Sequence, residues 1–221
     1  GDDLVVFNPD TLASGKPVEI ARFGFPRQPD GERLCLADYF TSRDSGRMDT
    51  VAFQVVTVGQ EASERFERLQ NAGDYTEAYF THGLAVQTAE ATAEYLHRHI
   101  RRELGLKEKQ GKRYSWGYPA IPELEDHRKV FDLLPAEKEL GMSLTAAYQL
   151  VPEQSTAAII VHHPQAIIVE QPEMHRPPIA AHAVAAIERS GEQHILRSYY
   201  YRVPLRVEVP LIPVFATHKH S

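Results

Sequence analysis

Residues 113–127 read RYSWGYPAIPELEDH, and here side chains able to do chemistry crowd together. An arginine such as Arg113 grips a carboxylate through two parallel hydrogen bonds. Four residues on, Gly117 removes the side chain that would keep a ligand away from the backbone, and Pro119 stiffens the turn. Tyr118 offers a flat apolar face with a polar tip. Together they could hold a small zwitterion that carries an aromatic part; the alternative is an ordinary turn with a structural arginine. The carboxylates of Glu123, Glu125 and Asp126 could exchange protons, but acids are favoured at the start of a helix in any case.

Other chemistry is sparse. His162 and His163 are adjacent, and adjacent residues on a strand point to opposite faces, so they cannot easily share one metal ion. No metal site is expected. No G-x-G occurs, so the dinucleotide fingerprint is absent, and there is no Walker A, C-x-x-C, H-E-x-x-H or G-x-S-x-G. Cys35, the one cysteine, sits in the apolar run LCLADYF and reads as a core residue. No nucleophile–base constellation emerges, so no catalytic residue is assigned.

The elements that must position these residues follow from periodicity. LVVF (4–7) and VEIARF (18–23) read as strands separated by a turn-rich stretch, and LCLADYF as a short strand running into a loop. VAFQVVTV (51–58) is a nearly continuous β-branched run, expected as a buried central strand. A helix begins at GQEASERFERLQNAGD. A longer one spans about Tyr75 to Leu104, with Tyr75, Ala78, Tyr79, Ala85, Ala89, Ala93, Leu96 and Ile100 on one small-residue face. Arg98, Arg101 and Arg102 suit the dipole of its last turn, and Gly105 is a plausible stop. GLKEKQGKR reads as a solvated loop, PELEDHRKVFDLLPAEKELG as a helix broken at Pro135, and STAAIIVHHP as a strand. In the tail, 167–221, a short helix (179–189) and Pro-interrupted extended segments are expected, and Pro204, Pro210 and Pro213 argue against a central strand.

With 221 residues, 43% hydrophobic and 24% charged, the chain has ordinary globular composition and suggests one domain or slightly more. A formal charge of -6 argues against a nucleic-acid partner. No stretch approaches the roughly 20 apolar residues of a membrane span, and GDDLVVFNPD lacks the basic start of a signal peptide. A single cysteine excludes an internal disulfide framework and fits a reducing cytosol, so a cytoplasmic location is expected.

RYSWGYPAIPELEDH resembles the Arg-x-x-x-Gly-Tyr-Pro-Ala-Cys-Pro-(acidic)-His signature of the activation domain of cobalamin-dependent methionine synthase. GDDLVVF, CLADYF, AEATAEYLHRHIRRELG and LGMSLTAAYQLVPEQSTAAIIVHHP extend the resemblance over about residues 1–166, leaving 167–221 as a divergent tail. The resemblance implies an α+β fold: a twisted antiparallel sheet with flanking helices that binds S-adenosylmethionine (AdoMet) without a Rossmann fold. It implies that Arg113 holds the AdoMet carboxylate, that backbone around Ser115, Gly117, Tyr118 and Ala120 lines the pocket, and that Glu90 neutralises the ammonium or sulfonium charge. It further implies a module that caps the cobalamin-binding domain of the same enzyme, receives an electron from flavodoxin or a similar reductase, and supports remethylation of oxidised cobalamin. Methyl transfer from a sulfonium needs positioning rather than proton transfer, which suits the missing general base.

The chain departs from the family pattern in three places. Ile121 replaces the signature cysteine. Ile168 and Val169 stand where family aromatics contact the ligand. The chain begins inside the family domain, without an upstream acidic contact, and is expected to be a fragment of a larger enzyme. Two other functions compete: a non-catalytic module that docks on cobalamin and recruits flavodoxin while binding AdoMet weakly, and a free-standing AdoMet methyltransferase acting on a small molecule.

Overall fold

The computed structural model describes residues 2–167 and, as backbone, 212–217. Its frame is a six-stranded sheet with strands β1 (Asp3–Phe7), β2 (Glu19–Gly24), β3 (Asp49–Thr57), β4 (Lys112–Ser115), β7 (Ser155–Val161) and β8 (Ile212–Thr217). Their order is β2-β1-β8-β3-β7-β4, and every pairing is antiparallel. A two-stranded ribbon, β5 (Ser143–Leu144) with β6 (Leu150–Val151), leads into β7.

β3 explains why its sequence shows no alternation. Val51 and Phe53 face one core with Leu4, Val6, Phe23, Trp116 and Ile159, whereas Ala52 packs with Ile160 and Ile100 on the other side. A strand covered on both faces has no polar side to show. Full burial of a side chain such as Phe53 or Ile159 contributes about 1.5–3 kcal/mol.

Helices α1 (Gln60–Asn71) and α2 (Tyr75–Glu103) form a hairpin, and α2 lies on the sheet face that carries Ala52, Val56 and Ile160. Asp74 starts α2 by accepting the Glu77 N–H at 3.3 Å. Ala85, Ala89 and Ala93 are buried, and their small side chains let α2 approach the rest of the fold closely, while Leu96 and Ile100 pack with Val56, Ala52 and Ile160. The expected face is corrected at its start: Tyr75 and Tyr79 are 69% and 75% exposed. Ala78 is buried there, and His82 meets Gln154 and Phe66, while the two tyrosine rings stay exposed.

On the opposite face, helices α3 (Asp126–Leu133) and α4 (Ala136–Leu140) flank Pro135, as the break predicts, and Val130 joins the main core. Three expectations fail for identifiable reasons. LCLADYF forms a 3₁₀ turn over Leu36–Tyr39, because Asp38 folds back to accept the Cys35 N–H at 2.9 Å and also receives Arg27. The loop expected over 105–113 gives way to strand at Lys112, because β7 offers a partner edge. Pro213 lies inside β8, a central strand, opposite Thr50 of β3. The rest of the tail, with the expected helix at 179–189, lies outside the described residues. No described helix is long and apolar enough to cross a membrane.

Candidate functional site

Among the described residues β4 is the last strand of the sheet and pairs only with β7, so its two faces meet at one margin of the described sheet. Alternation sends Tyr114 and Trp116 into the main core and Arg113 and Ser115 to the α2 side. Trp116 stacks on Phe53 (centroids 6.4 Å apart, planes 19°) and meets Phe23 and His127. The lone tryptophan therefore anchors the turn that follows it.

That turn is held by two backbone bonds: Gly117 N–H to Ile121 O and Ile121 N–H to Tyr118 O, each 2.8 Å. Gly117 has φ +83, a conformation that favours glycine, and a Cβ there would lie 3.1 Å from Leu124 Cδ2, which would have to give slightly. Tyr118 is exposed, while Ile121, in place of the signature cysteine, is fully buried in the core. Pro119 and Ala120 border a shallow hollow of about 30 Å³, whose walls also include Tyr39, Tyr114 and Ile167. The Tyr114 hydroxyl donates to the Ile167 carbonyl there.

On the α2 side, Arg113 Nη2 donates to Glu90 Oε2 at 2.8 Å; the Arg113 side chain is 10% exposed and that of Glu90 42%. Two residues expected to receive different ends of a ligand are thus bound to each other. The pairing uses one of five guanidinium donors, and no other hydrogen bond to this guanidinium occurs among the described residues. Ser115 Oγ lies 3.4 Å from Thr156 Oγ1, itself buried in β7.

Some supporting residues escaped the sequence reading. Arg101, read as a dipole-matched cation, is buried; its Nε donates to Gln110 O (2.9 Å), its Nη2 lies 3.5 Å from Gly111 O, and its Nη1 sits 3.6 Å from Glu94. It pins the start of β4. His97 is buried with no partner for Nε2 among the described residues, and burial, then the charges of Arg101, Arg113 and Lys112, push its pKa down to about 3. The signal was present: positions 90, 94, 97 and 101 recur at i, i+4, i+7, i+11, a polar stripe on the helix face that looks at β4.

The remaining candidates go elsewhere. His162 Nε2 contacts Asp49 Oδ1 at 3.1 Å, whereas the His163 ring faces Tyr39, so the two rings have separate partners. Burial would raise the Asp49 pKa, but the His162 contact and the Thr50 and Thr41 amides bring it down to about 2. Asp126 sits in the first turn of α3, paired with Lys129 at 2.6 Å. Ile168 and Val169 lie outside the described residues.

Residues 1–173 match the family described as "Vitamin B12 dependent methionine synthase, activation domain". The chain is 39% identical to methionine synthase of Mycobacterium tuberculosis, over 75% of this chain and 16% of that protein. With the Mycobacterium leprae enzyme the identity is 38%, over 66% of this chain and 14% of that protein. The chain therefore spans about a seventh of the length of these relatives. Among solved structures, the MetH reactivation domain bound to AdoHcy superposes with a TM-score of 0.69 at 27% identity, covering 86% of this chain and 64% of that one. The α+β fold, its antiparallel sheet and the matched residues agree: this chain belongs to the family of methionine synthase activation domains.

Proposed function

We propose that this chain binds AdoMet across the β4 edge and, within a larger cytoplasmic cobalamin-dependent methionine synthase, supports the reductive methylation of cob(II)alamin to methylcobalamin. Cobalamin, held mainly by a separate domain, would supply the methyl-accepting cobalt, and flavodoxin or a similar reductase the one electron required. The AdoMet carbon–sulfur bond to the methyl breaks with its electron pair left on sulfur, so AdoHcy departs as a neutral thioether. The chain's own task is positioning.

In this reading Arg113 takes the ligand carboxylate with the donors that Glu90 leaves over, and Glu90 takes the ammonium. Backbone at Ser115, Gly117, Tyr118 and Ala120 flanks the ligand along the turn. The ligand straddles an edge strand because its charged end belongs on the α2 face and its flat end on the other. The observation that carries the reading is the Arg113 guanidinium: anchored on Glu90 through one donor, with no further partner among the described residues, on the strand that leads into the Gly117–Pro119 turn. The solved relative bound to AdoHcy supports the ligand class.

The same ion pair favours a second reading, since a partner already on Arg113 weakens any carboxylate that follows. That reading is a docking module that caps the cobalamin domain and recruits flavodoxin, with little affinity for AdoMet. Calorimetric titration separates the two. Heat of AdoMet binding that disappears in Arg113→Ala is expected for the first; no heat from the native chain at high ligand concentration would leave the second.

A further inference from the structure

The two members of the Arg113–Glu90 pair are not equally free to part. Arg113 stands on β4, where every residue from Lys112 to Ser115 is paired with β7, and its side chain is 10% exposed. Glu90 stands on α2 with its side chain 42% exposed, so its carboxylate can turn to water at little cost, whereas a guanidinium left behind at Arg113 would be a nearly buried charge without a partner. The surroundings are cationic too. Arg101, Arg113 and Lys112 all act on buried His97 as charges that disfavour its protonation. Of the acids on this stretch of α2, Glu94 has Arg101 Nη1 at 3.6 Å and Arg98 Nε at 3.7 Å. Among the described residues Glu90 is the one carboxylate within ion-pair distance of Arg113. A ligand tail arriving here meets a fixed cation and a movable anion.

Resting on the reading that AdoMet binds at β4, we propose that the Arg113–Glu90 pair selects the ligand by the charge of its tail: a carboxylate is obligatory, and an ammonium is accepted only together with it. A tail with both charges completes an alternating ring with the pair, each charge flanked by its opposite. A tail with a carboxylate alone keeps Arg113 paired and sends Glu90 into water. A tail with an ammonium alone has two poor arrangements. It shares Glu90 and lies beside the Arg113 cation, or it draws Glu90 away and strands the guanidinium. The chain should thus reject adenosyl compounds with an amine tail, which differ from those with an amino-acid tail by the loss of carbon dioxide, through a penalty built on burial rather than on shape.

The test uses the full chain and a set of adenosyl thioethers that share an uncharged sulfur and differ only in the tail. These are AdoHcy, its deaminated analogue (carboxylate only), its decarboxylated analogue (amine only) and methylthioadenosine, which has neither charge. Calorimetric titration and competition rank them. The deaminated analogue should bind about two- to fivefold more weakly than AdoHcy, the loss of one partly exposed ion pair. The decarboxylated analogue should bind about ten- to hundredfold more weakly than AdoHcy and no more tightly than methylthioadenosine. In Glu90→Gln, whose amide oxygen still accepts from Arg113, the gap between AdoHcy and the deaminated analogue should close. A decarboxylated analogue that binds within about threefold of AdoHcy, or more tightly than methylthioadenosine, overturns the proposal. So does a gap between AdoHcy and the deaminated analogue that survives Glu90→Gln. Absence of heat from both AdoMet and AdoHcy overturns instead the reading of the site on which the proposal rests, and the proposal with it.

Discussion

Removing either partner of the Arg113–Glu90 pair breaks the same bond, yet the two losses should differ. Arg113 is 10% exposed and Glu90 42%. Arg113→Met leaves a carboxylate that water can reach, and an apolar chain fills the space of the guanidinium stem. The cost should resemble that of a partly exposed ion pair, about 0.5–1 kcal/mol. Glu90→Ala leaves a nearly buried guanidinium without its acceptor, at about 1–3 kcal/mol. Urea unfolding read by the fluorescence of Trp116, the lone tryptophan at the end of β4, would measure both. Arg113→Lys isolates the geometry: charge stays, the fork goes, and AdoMet affinity should fall about tenfold for one lost bond of about 1.4 kcal/mol. An Arg113→Met chain less stable than Glu90→Ala would refute the burial reasoning, and equal AdoMet affinity for arginine and lysine would refute the fork.

Further outcomes follow from the supporting residues. The folded pKa of His97, about 3, lies below its unfolded value near 6.5, so its contribution is present above pH 6.5 and is lost as pH falls from there toward 3. Stability should drop by up to about 1.4 kcal/mol per pH unit in that window, and His97→Gln should flatten the slope in urea titrations at pH 4–7. Gly111→Ala would put a Cβ 2.5 Å from the Val161 carbonyl at φ +75, and should destabilise the fold by about 3 kcal/mol or more, read as the urea midpoint. Burial pushes the Cys35 thiol up to about 11, so its labelling by a disulfide reagent at neutral pH should track unfolding; fast labelling of the native chain would contradict its buried position.

The long elements were legible because their burial is written in one dimension. β3 and β7 are apolar runs, α2 has a small-residue stripe, and Pro135 splits α3 from α4 as its ring requires. Features that depend on partners distant in sequence were not legible. The 3₁₀ turn at Leu36–Tyr39 needs Arg27, eleven residues before Asp38, to hold it. β8 defies its proline because β1 and β3 offer it pairing on both sides. In the candidate site, the turn Gly117–Ile121 could be read locally, since glycine and proline announce it. That Arg113 would meet Glu90, 23 residues earlier, could not, because it depends on how α2 lies over the sheet.

β4 carries core on one side and candidate site on the other, so its alignment admits no half measures: sliding it by a single residue would send Arg113 inward and Tyr114 outward. Two pegs oppose such a slip, the Arg101 grip on the carbonyls of residues 110 and 111 and the close fit of Gly111 against Val161. Length changes just upstream should therefore bulge into solvent rather than feed into the strand. Lys107–Lys109, exposed ahead of both pegs, is then the natural place to splice in a reporter peptide, a few residues in sequence from Arg113 yet mechanically insulated from it.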